Sequence, residues 1–230
     1  RNHSSAASDV YKRQDLSQDE IDNLLGFDVD NIQVKGTALL LETSANSYEK
    51  YPLLESTFEK MVRSLSTRLR NFTSENIEVF LESTNSMRYE EYMNSVPLPA
   101  VFSIFQASEW GGLGLITIDT NLAYSVIDAL LGGGKVSTDY NVAGRDFTAI
   151  EQNLIRELSE ILIEELNKAI NTITNVTIRF DTLETNPKFV SIARPASPGI
   201  IFSIRIYLND KSGNAIVLLP YSTLESVKSI

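Results

Sequence analysis

Val101-Phe102-Ser103-Ile104-Phe105 reads as a strand, and about one hundred residues later the chain writes Ile201-Phe202-Ser203-Ile204-Arg205. Outward from this pair, Asn76-Ile77-Glu78-Val79-Phe80-Leu81-Glu82 is answered by Asn175-Val176-Thr177-Ile178-Arg179-Phe180-Asp181. Gly114-Leu115-Ile116-Thr117-Ile118-Asp119 is answered by Ala215-Ile216-Val217-Leu218-Leu219-Pro220. Three segments sharing nearly one offset indicate an internal duplication. Between the copies stands Leu130-Leu131-Gly132-Gly133-Gly134-Lys135, where an apolar helical pattern runs into three glycines. Glycine visits positive φ without a Cβ penalty, so such a run ends a helix and leaves bare backbone exposed. The glycine turn closes the first copy.

Each copy opens with an amphipathic helix. In the first, Leu54, Phe58, Met61, Val62, Leu65 and Leu69 keep a 3.6-residue period from about Tyr48 onward, with Glu55, Lys60, Arg63 and Arg68 mostly opposite. In the second, Thr148 and Glu151 have the spacing of a capping box. The helix they open carries Ile150, Leu154, Ile155, Leu158, Ile161, Leu162 and Leu166 as its apolar stripe. Strands are predicted over 76–82, 101–107 and 115–118, and again over 175–181, 201–208 and 215–219. A short helix is predicted over 86–93, stopped by Pro97 and Pro99, another over 121–131, and a helical start over 221–230. Each copy thus reads helix, strand, irregular link, strand, strand, helix. Two such copies with apolar strands imply a central sheet covered by helices on both faces. The predicted fold is α/β, a single three-layer α/β/α domain with pseudo-twofold symmetry.

Composition narrows the chemistry. The chain has 230 residues, 43% of them apolar, and a mean hydropathy of -0.08, as expected of a soluble globular protein with a sizeable core. No apolar run approaches the roughly 20 residues that span a bilayer. A net charge of -10 argues against nucleic acid and against an anionic membrane surface as partners. There is no cysteine, and the one histidine is His3. Disulfides, thiolate metal sites, thiol nucleophiles and Ser-His-Asp catalysis are thereby excluded, along with most zinc chemistry. No cofactor is expected.

Residues 1–14 have neither helical nor strand period, resemble a translated adaptor sequence, and are set aside with His3. Residues 15–27 are different. Ser17 and Glu20 form a second capping-box spacing, Leu16, Ile21, Leu24 and Leu25 share one helical face, and Gly26 is a natural stop. So short a helix is marginal alone, and its stripe needs a surface to dock on. That surface is equally well its own domain or a partner's groove. Residues 28–46 read as a linker, and 47–230 as the duplicated domain.

Other candidate sites reduce to structure. Gly134-Lys135 lacks the spacing and the following Ser or Thr of a phosphate loop. Gly111-Gly112-Leu113-Gly114 and Asn209-Asp210-Lys211-Ser212-Gly213 sit between strands and read as hairpin turns. Trp110 serves either as a surface anchor or, more commonly for a lone Trp at a sheet end, as core. Asp119 and Asp128 flank the helix before the glycine turn and need no role beyond solvation.

Leu16-Ser17-Gln18, Glu20-Ile21-Asp22 and Leu24-Leu25 closely resemble the amino-terminal signature of the FliM family of flagellar motor switch proteins, and the resemblance extends along nearly the whole chain. Val126-Ile127-Asp128-Ala129-Leu130-Leu131-Gly132-Gly133-Gly134 is similar to the family's helix leading into a Gly-Gly-x-Gly loop, and Gly144-Arg145-Asp146-Phe147-Thr148 with Glu151-Gln152 to its next segment. The resemblance implies a fold related to CheC and CheX. It also implies that Leu16, Ser17, Gln18, Glu20, Ile21, Asp22, Leu24 and Leu25 bind phosphorylated CheY. FliG would be contacted by Gly132, Gly133, Gly134 and Lys135. Lys135 replaces the last glycine of the family loop. FliN and neighbouring copies in the motor ring are further implied partners, at the cytoplasmic face of the inner membrane in the flagellar basal body. The family pattern places a FliN-like domain beyond Ile230.

The reading is then of a non-enzymatic switch subunit. The alternative is a CheC-like phosphatase, whose helical signature is Asp or Ser, three residues, Glu, two residues, Asn. Glu164 and Asn167 reproduce its second half, but Glu160 stands where Asp or Ser belongs. An unrelated duplicated α/β enzyme is the third class, disfavoured by the missing histidine and cysteine.

Overall fold

Nearly every position from Ala100 to Phe105 and from Gly114 to Ile118 is buried, the mark of strands covered on both faces. A computed structural model describes residues 52–132 and 147–224 and places these strands side by side in the interior of a six-stranded sheet. In chain order the elements are α1 (Pro52–Thr73), β1 (Ile77–Arg88), α2 (Tyr89–Ser95), β2 (Ala100–Ala107), β3 (Gly112–Asp119) and α3 (Thr120–Leu130). The second half follows with α4 (Ala149–Ile170), β4 (Ile178–Glu184), a short 3-10 turn (Pro187–Phe189), β5 (Pro198–Leu208), β6 (Lys211–Pro220) and α5 (Tyr221–Leu224). The strand order is β1-β5-β6-β3-β2-β4, antiparallel throughout.

Alternate strand residues face two different layers. Val101, Phe105, Ile116, Ile118, Phe202, Ile204 and Val217 join the side chains of α1, α3 and α4 in the larger core. The Phe58 ring of α1 stacks on Phe202 at 3.6 Å, and Ser103 hydrogen-bonds Ser159 of α4 at 2.6 Å. Phe102, Ile104, Leu115, Ile201 and Leu218 face the opposite way, beneath Tyr89 and Tyr92 of α2 and Val190. The three-layer expectation holds, with unequal layers: long helices on one side, a short helix and an irregular segment on the other. Trp110 belongs to the larger core.

The duplication is built into the strand registers. Val79 pairs with Ile206, and Ile178 with Ala107. One pair becomes the other under a displacement of 99 residues, from 79 to 178 and from 107 to 206. Ile116 pairs with Val217, so the displacement along β3 and β6 is 101, from 116 to 217. The difference of two arises in the hairpins: β2–β3 closes at Ala107 and Gly112, whereas β5–β6 continues to Leu208 and Lys211 around Asn209, which has φ 52°. Val101 therefore corresponds to Ile200, not Ile201. Both lie in the helix-side core, while Phe102 and Ile201 lie in the other. The first echo in the sequence is one residue out of step, a slip that would turn every side chain to the wrong face. The other two echoes fall on the structural displacements.

Several expected boundaries move. β1 runs on to Arg88 rather than stopping at 82, and the helix expected from 86 begins at Tyr89, because residues 83–88 pair with 198–203 of β5. β4 begins at Ile178, although Val176 is already buried. Ile150, expected in the stripe of α4, is exposed in its first turn. The edge strands β1 and β4 each carry one register irregularity. It falls at Glu82 in β1 and at Asp181 in β4, again 99 residues apart. A bulged strand bends and no longer offers a flat edge for pairing.

The halves are exchanged rather than juxtaposed. β1 of the first copy pairs only with β5 of the second, and β4 of the second only with β2 of the first. The same exchange recurs where helices leave the sheet. A Cβ on Gly213 would stand 2.3 Å from the Leu122 backbone nitrogen at the start of α3, and one on Gly112 would meet the Thr223 side chain at the start of α5. Leu122 and Thr223 are themselves 101 residues apart, so each hairpin carries a glycine where the other copy's helix begins. Overpacking such sites costs about 1–3 kcal/mol. Gly213→Ala should be the more damaging, because the Leu122 backbone nitrogen and Cα oppose it at 2.3 and 2.6 Å, whereas Gly112→Ala meets the Thr223 side chain, whose Oγ1 and Cγ2 can rotate although its Cβ at 2.8 Å cannot. Urea unfolding of both variants tests the order; an equal loss would show that α3 is less tightly seated than described.

Candidate partner-binding site

α3 is the helix that presents the glycine turn, and the second copy holds it at both ends. Asp119 is its N-cap: one carboxylate oxygen accepts from the Leu122 N–H at 2.7 Å, the other from the Asn214 N–H of β6 at 2.8 Å. Such a cap contributes about 1 kcal/mol. Burial raises the Asp119 carboxyl above the ordinary aspartate range, and the hydrogen bonds from Leu122 and Asn214 offset part of that rise. Near the other end, Lys211 of the β5–β6 hairpin donates to Asp128 at 3.0 Å. Gly213 fits against the backbone between these two contacts. α3 is buried at every position from Leu122 to Ile127.

Leu131 caps the helix, its N–H donating to Ile127 O at 2.9 Å. Gly132 then turns to φ +73°, with its N–H directed at Ala129 O. That is the left-handed position which commonly ends helices and which glycine fills without strain. Among the described residues a Cβ at Gly132 would meet nothing within 4 Å, so the glycine is required there by its φ and not by a packed neighbour. Leu131 is 64% exposed, and Ile150, on the far side of residues 133–146, is 67% exposed. Both were expected as core. Exposed apolar side chains of this size, one beside Gly132 and one in the first turn of α4, are suited to burial against another protein.

Of the residues that the resemblance assigns to partners, Gly132 is the one whose surroundings are described. Gly133, Gly134 and Lys135 lie outside the described residues, as do Leu16, Ser17, Gln18, Glu20, Ile21, Asp22, Leu24 and Leu25. Asp119 and Asp128, read as solvated, are instead the anchors of α3. Sequence offered one signal for Asp119, an aspartate just ahead of a helical pattern. Its bond to Asn214 needed the fold.

The residues reminiscent of a phosphatase helix are all committed elsewhere. Glu160 pairs with Arg156 at 3.1 Å, and Glu164 with Arg68 of α1 at 3.0 Å. Asn167 is half-buried. Its Oδ1 accepts from the Ile178 N–H at 2.9 Å and from Asn171 Nδ2 at 3.0 Å, tying α4 to the start of β4. Glu165, which the helical stripe did not mark, is buried between α4 and α1. Burial pushes its carboxyl up, but hydrogen bonds from Lys168 at 2.6 Å and Ser64 at 2.7 Å, with the nearby charges of Lys168 and Arg68, hold it below the ordinary range. Among the described residues no three His, Cys, Asp or Glu side chains gather to hold a metal ion. No described helix is long and apolar enough to cross a membrane.

The family model described as flagellar motor switch protein FliM matches residues 47–230. The FliM of Caulobacter vibrioides (strain NA1000) is 42% identical over 218 residues, which cover 94% of this chain. The chain spans 58% of that relative's length. A chain in the crystal structure of the FliG–FliM complex from H. pylori superposes with a TM-score of 0.73 at 26% identity, covering 79% of this chain and all of that one. Thermotoga maritima FliY, at 12% identity, shares the fold with a TM-score of 0.65 over 79% of this chain and 97% of its own. With the family model covering the entire duplicated sheet and identity of this order to a curated relative, the chain belongs to the FliM family of flagellar motor switch proteins.

Proposed function

We propose that this chain is a flagellar motor switch subunit that relays a phosphorylated signal to the direction of rotation by binding partners, without catalysing a reaction. The observation that carries the proposal is an open glycine turn at the end of a helix gripped from both halves, in a chain of the FliM family. FliG is the proposed partner of Gly132, Gly133, Gly134 and Lys135, and the match to a chain of an H. pylori FliG–FliM complex supports it. Phosphorylated CheY is the proposed partner of residues 16–25. FliN and neighbouring copies complete the proposed assembly, on the cytoplasmic side of the inner membrane.

The glycine turn is tested with Gly132→Leu. A side chain at φ +73° costs about 1–2 kcal/mol, and the open space adds no clash. Affinity for purified FliG should fall about tenfold, or about 1.4 kcal/mol, while more than nine in ten molecules stay folded at roughly the stability of an ordinary domain. A loss that only tracks the unfolded fraction, measured in parallel by thermal melting, would remove the turn from the interface.

A synthetic peptide of residues 16–27 should bind phosphorylated CheY by itself. Ile21→Ala should weaken it by about 1 kcal/mol or more, as expected for an apolar anchor. Unchanged binding by a chain lacking residues 1–30 would refute the assignment.

The phosphatase alternative makes a different demand on Asn167. In the proposed reading Asn167→Ala orphans the Ile178 N–H and costs about 1–3 kcal/mol of stability. The decay of phosphorylated CheY should be the same with and without a stoichiometric amount of the chain. Acceleration that disappears in Asn167→Ala would promote the enzyme reading.

A further inference from the structure

The two ends of the sheet are related by the duplication, yet one has acquired an aromatic corner that the other lacks. On β1, Ile77 and Val79 point into the helix-side core, so Glu78, Phe80 and Glu82 point to the opposite face. Across the strand pair, Glu78 stands opposite Tyr207 and Phe80 opposite Arg205. Phe80 and Tyr207 are 51% and 43% exposed, and their rings meet edge to face, 5.9 Å apart at 81°. Together with Glu78, Glu82 and Arg205 they line a shallow depression of ≈ 400 Å³. At the other end, the displacement of 99 places Arg179 where Phe80 stands, Thr177 for Glu78, Asp181 for Glu82, Gln106 for Arg205 and Ser108 for Tyr207. The backbones still meet there through the Ser108 N–H, which donates to Thr177 O, although Ser108 already belongs to the β2–β3 turn. This end of the sheet thus forms without aromatic residues at the corresponding positions.

We propose that the Phe80–Tyr207 corner is a binding site for a lysine or arginine side chain of a partner protein, held against the two rings and the Glu78 carboxylate. The charges choose this occupant. Glu82 is already paired with Arg205 at 3.1 Å, whereas no ion pair engages Glu78 among the described residues. A purely apolar insertion would bury Glu78 unpaired, which is costly. A cation satisfies the carboxylate and the electron-rich ring faces together. The net charge of -10 favours the approach of a basic segment. This site lies on β1 and β5 and does not depend on the role of the glycine turn.

The test uses the full chain, labelled with 15N, and three blocked peptides, Ac-Gly-Arg-Gly-NH2, Ac-Gly-Gln-Gly-NH2 and Ac-Gly-Leu-Gly-NH2. The arginine peptide should shift the amides of residues 78–80 and 205–207 and saturate at roughly millimolar concentration, since exposed cation–π contacts are weak. Phe80→Ser and Glu78→Gln should each weaken it about threefold, with amide positions elsewhere in the sheet unchanged. The glutamine and leucine peptides should leave these amides in place. Equal shifts with the leucine peptide would make the corner an apolar dock, and concentration-dependent shifts of the same amides without peptide would assign it to a second copy. Either result overturns the proposal, as does an arginine response indifferent to both substitutions.

Discussion

The pairing of β3 with β6 is the contact on which the rest of the molecule depends. It joins the two copies at Ile116 and Val217, the one cross-copy pair that the duplication maps onto itself. On either side of this seam each hairpin accepts as its outer neighbour a strand from the other copy. Neither half could keep its sheet if separated: β1 would lose its only partner, and β5 and β2 would each expose an edge of buried side chains. The helix-side core is correspondingly shared between the copies, since α1 of the first and α4 of the second contribute to the same side-chain cluster.

This exchange has a direct bearing on the glycine turn. α3 belongs to the first copy by sequence, but the Asn214 N–H that holds its capping carboxylate, its ion-pair partner Lys211 and the close-fitting Gly213 all come from β6. The helix that carries Gly132 is therefore seated by residues about 80 places further along the chain. Gly132 thus ends a helix fastened at both ends by the other copy, while among the described residues nothing lies within 4 Å of its Cβ position.

The duplicated architecture was legible because it rests on patterns that survive in one dimension: apolar runs, a capping box at Thr148 and Glu151 observed as read, and echoes that fall on the true displacements of 99 and 101. The echo at Val101 and Ile201 was similar in composition but one residue out of step, because identical strand-forming letters say nothing of which face they line. β1 ran longer than its apolar stretch, since Ser83, Asn85 and Ser86 are strand only by virtue of pairing with β5. Leu131 and Ile150 look like core in any periodic reading, and only the packing shows them exposed. Asn167 and Glu165 mislead in the opposite direction. A polar residue tied to a strand's N–H or enclosed between two helices cannot be told from a solvated one by spacing alone.

The acidic bulges at Glu82 and Asp181 have a consequence for behaviour in crowds. Antiparallel sheets are open-ended polymers in principle: any exposed terminal strand can template another, and two chains meeting at their edges could continue the alternation indefinitely. Here both termini are stoppered at equivalent points by a kinked backbone carrying an acidic residue. Chain growth by strand addition is thereby discouraged from either end, even where many copies are held close together. The sheet keeps its finite width of six strands, and contacts between molecules are left to helix ends, turns and side chains, which can be made and released without rebuilding a backbone ladder.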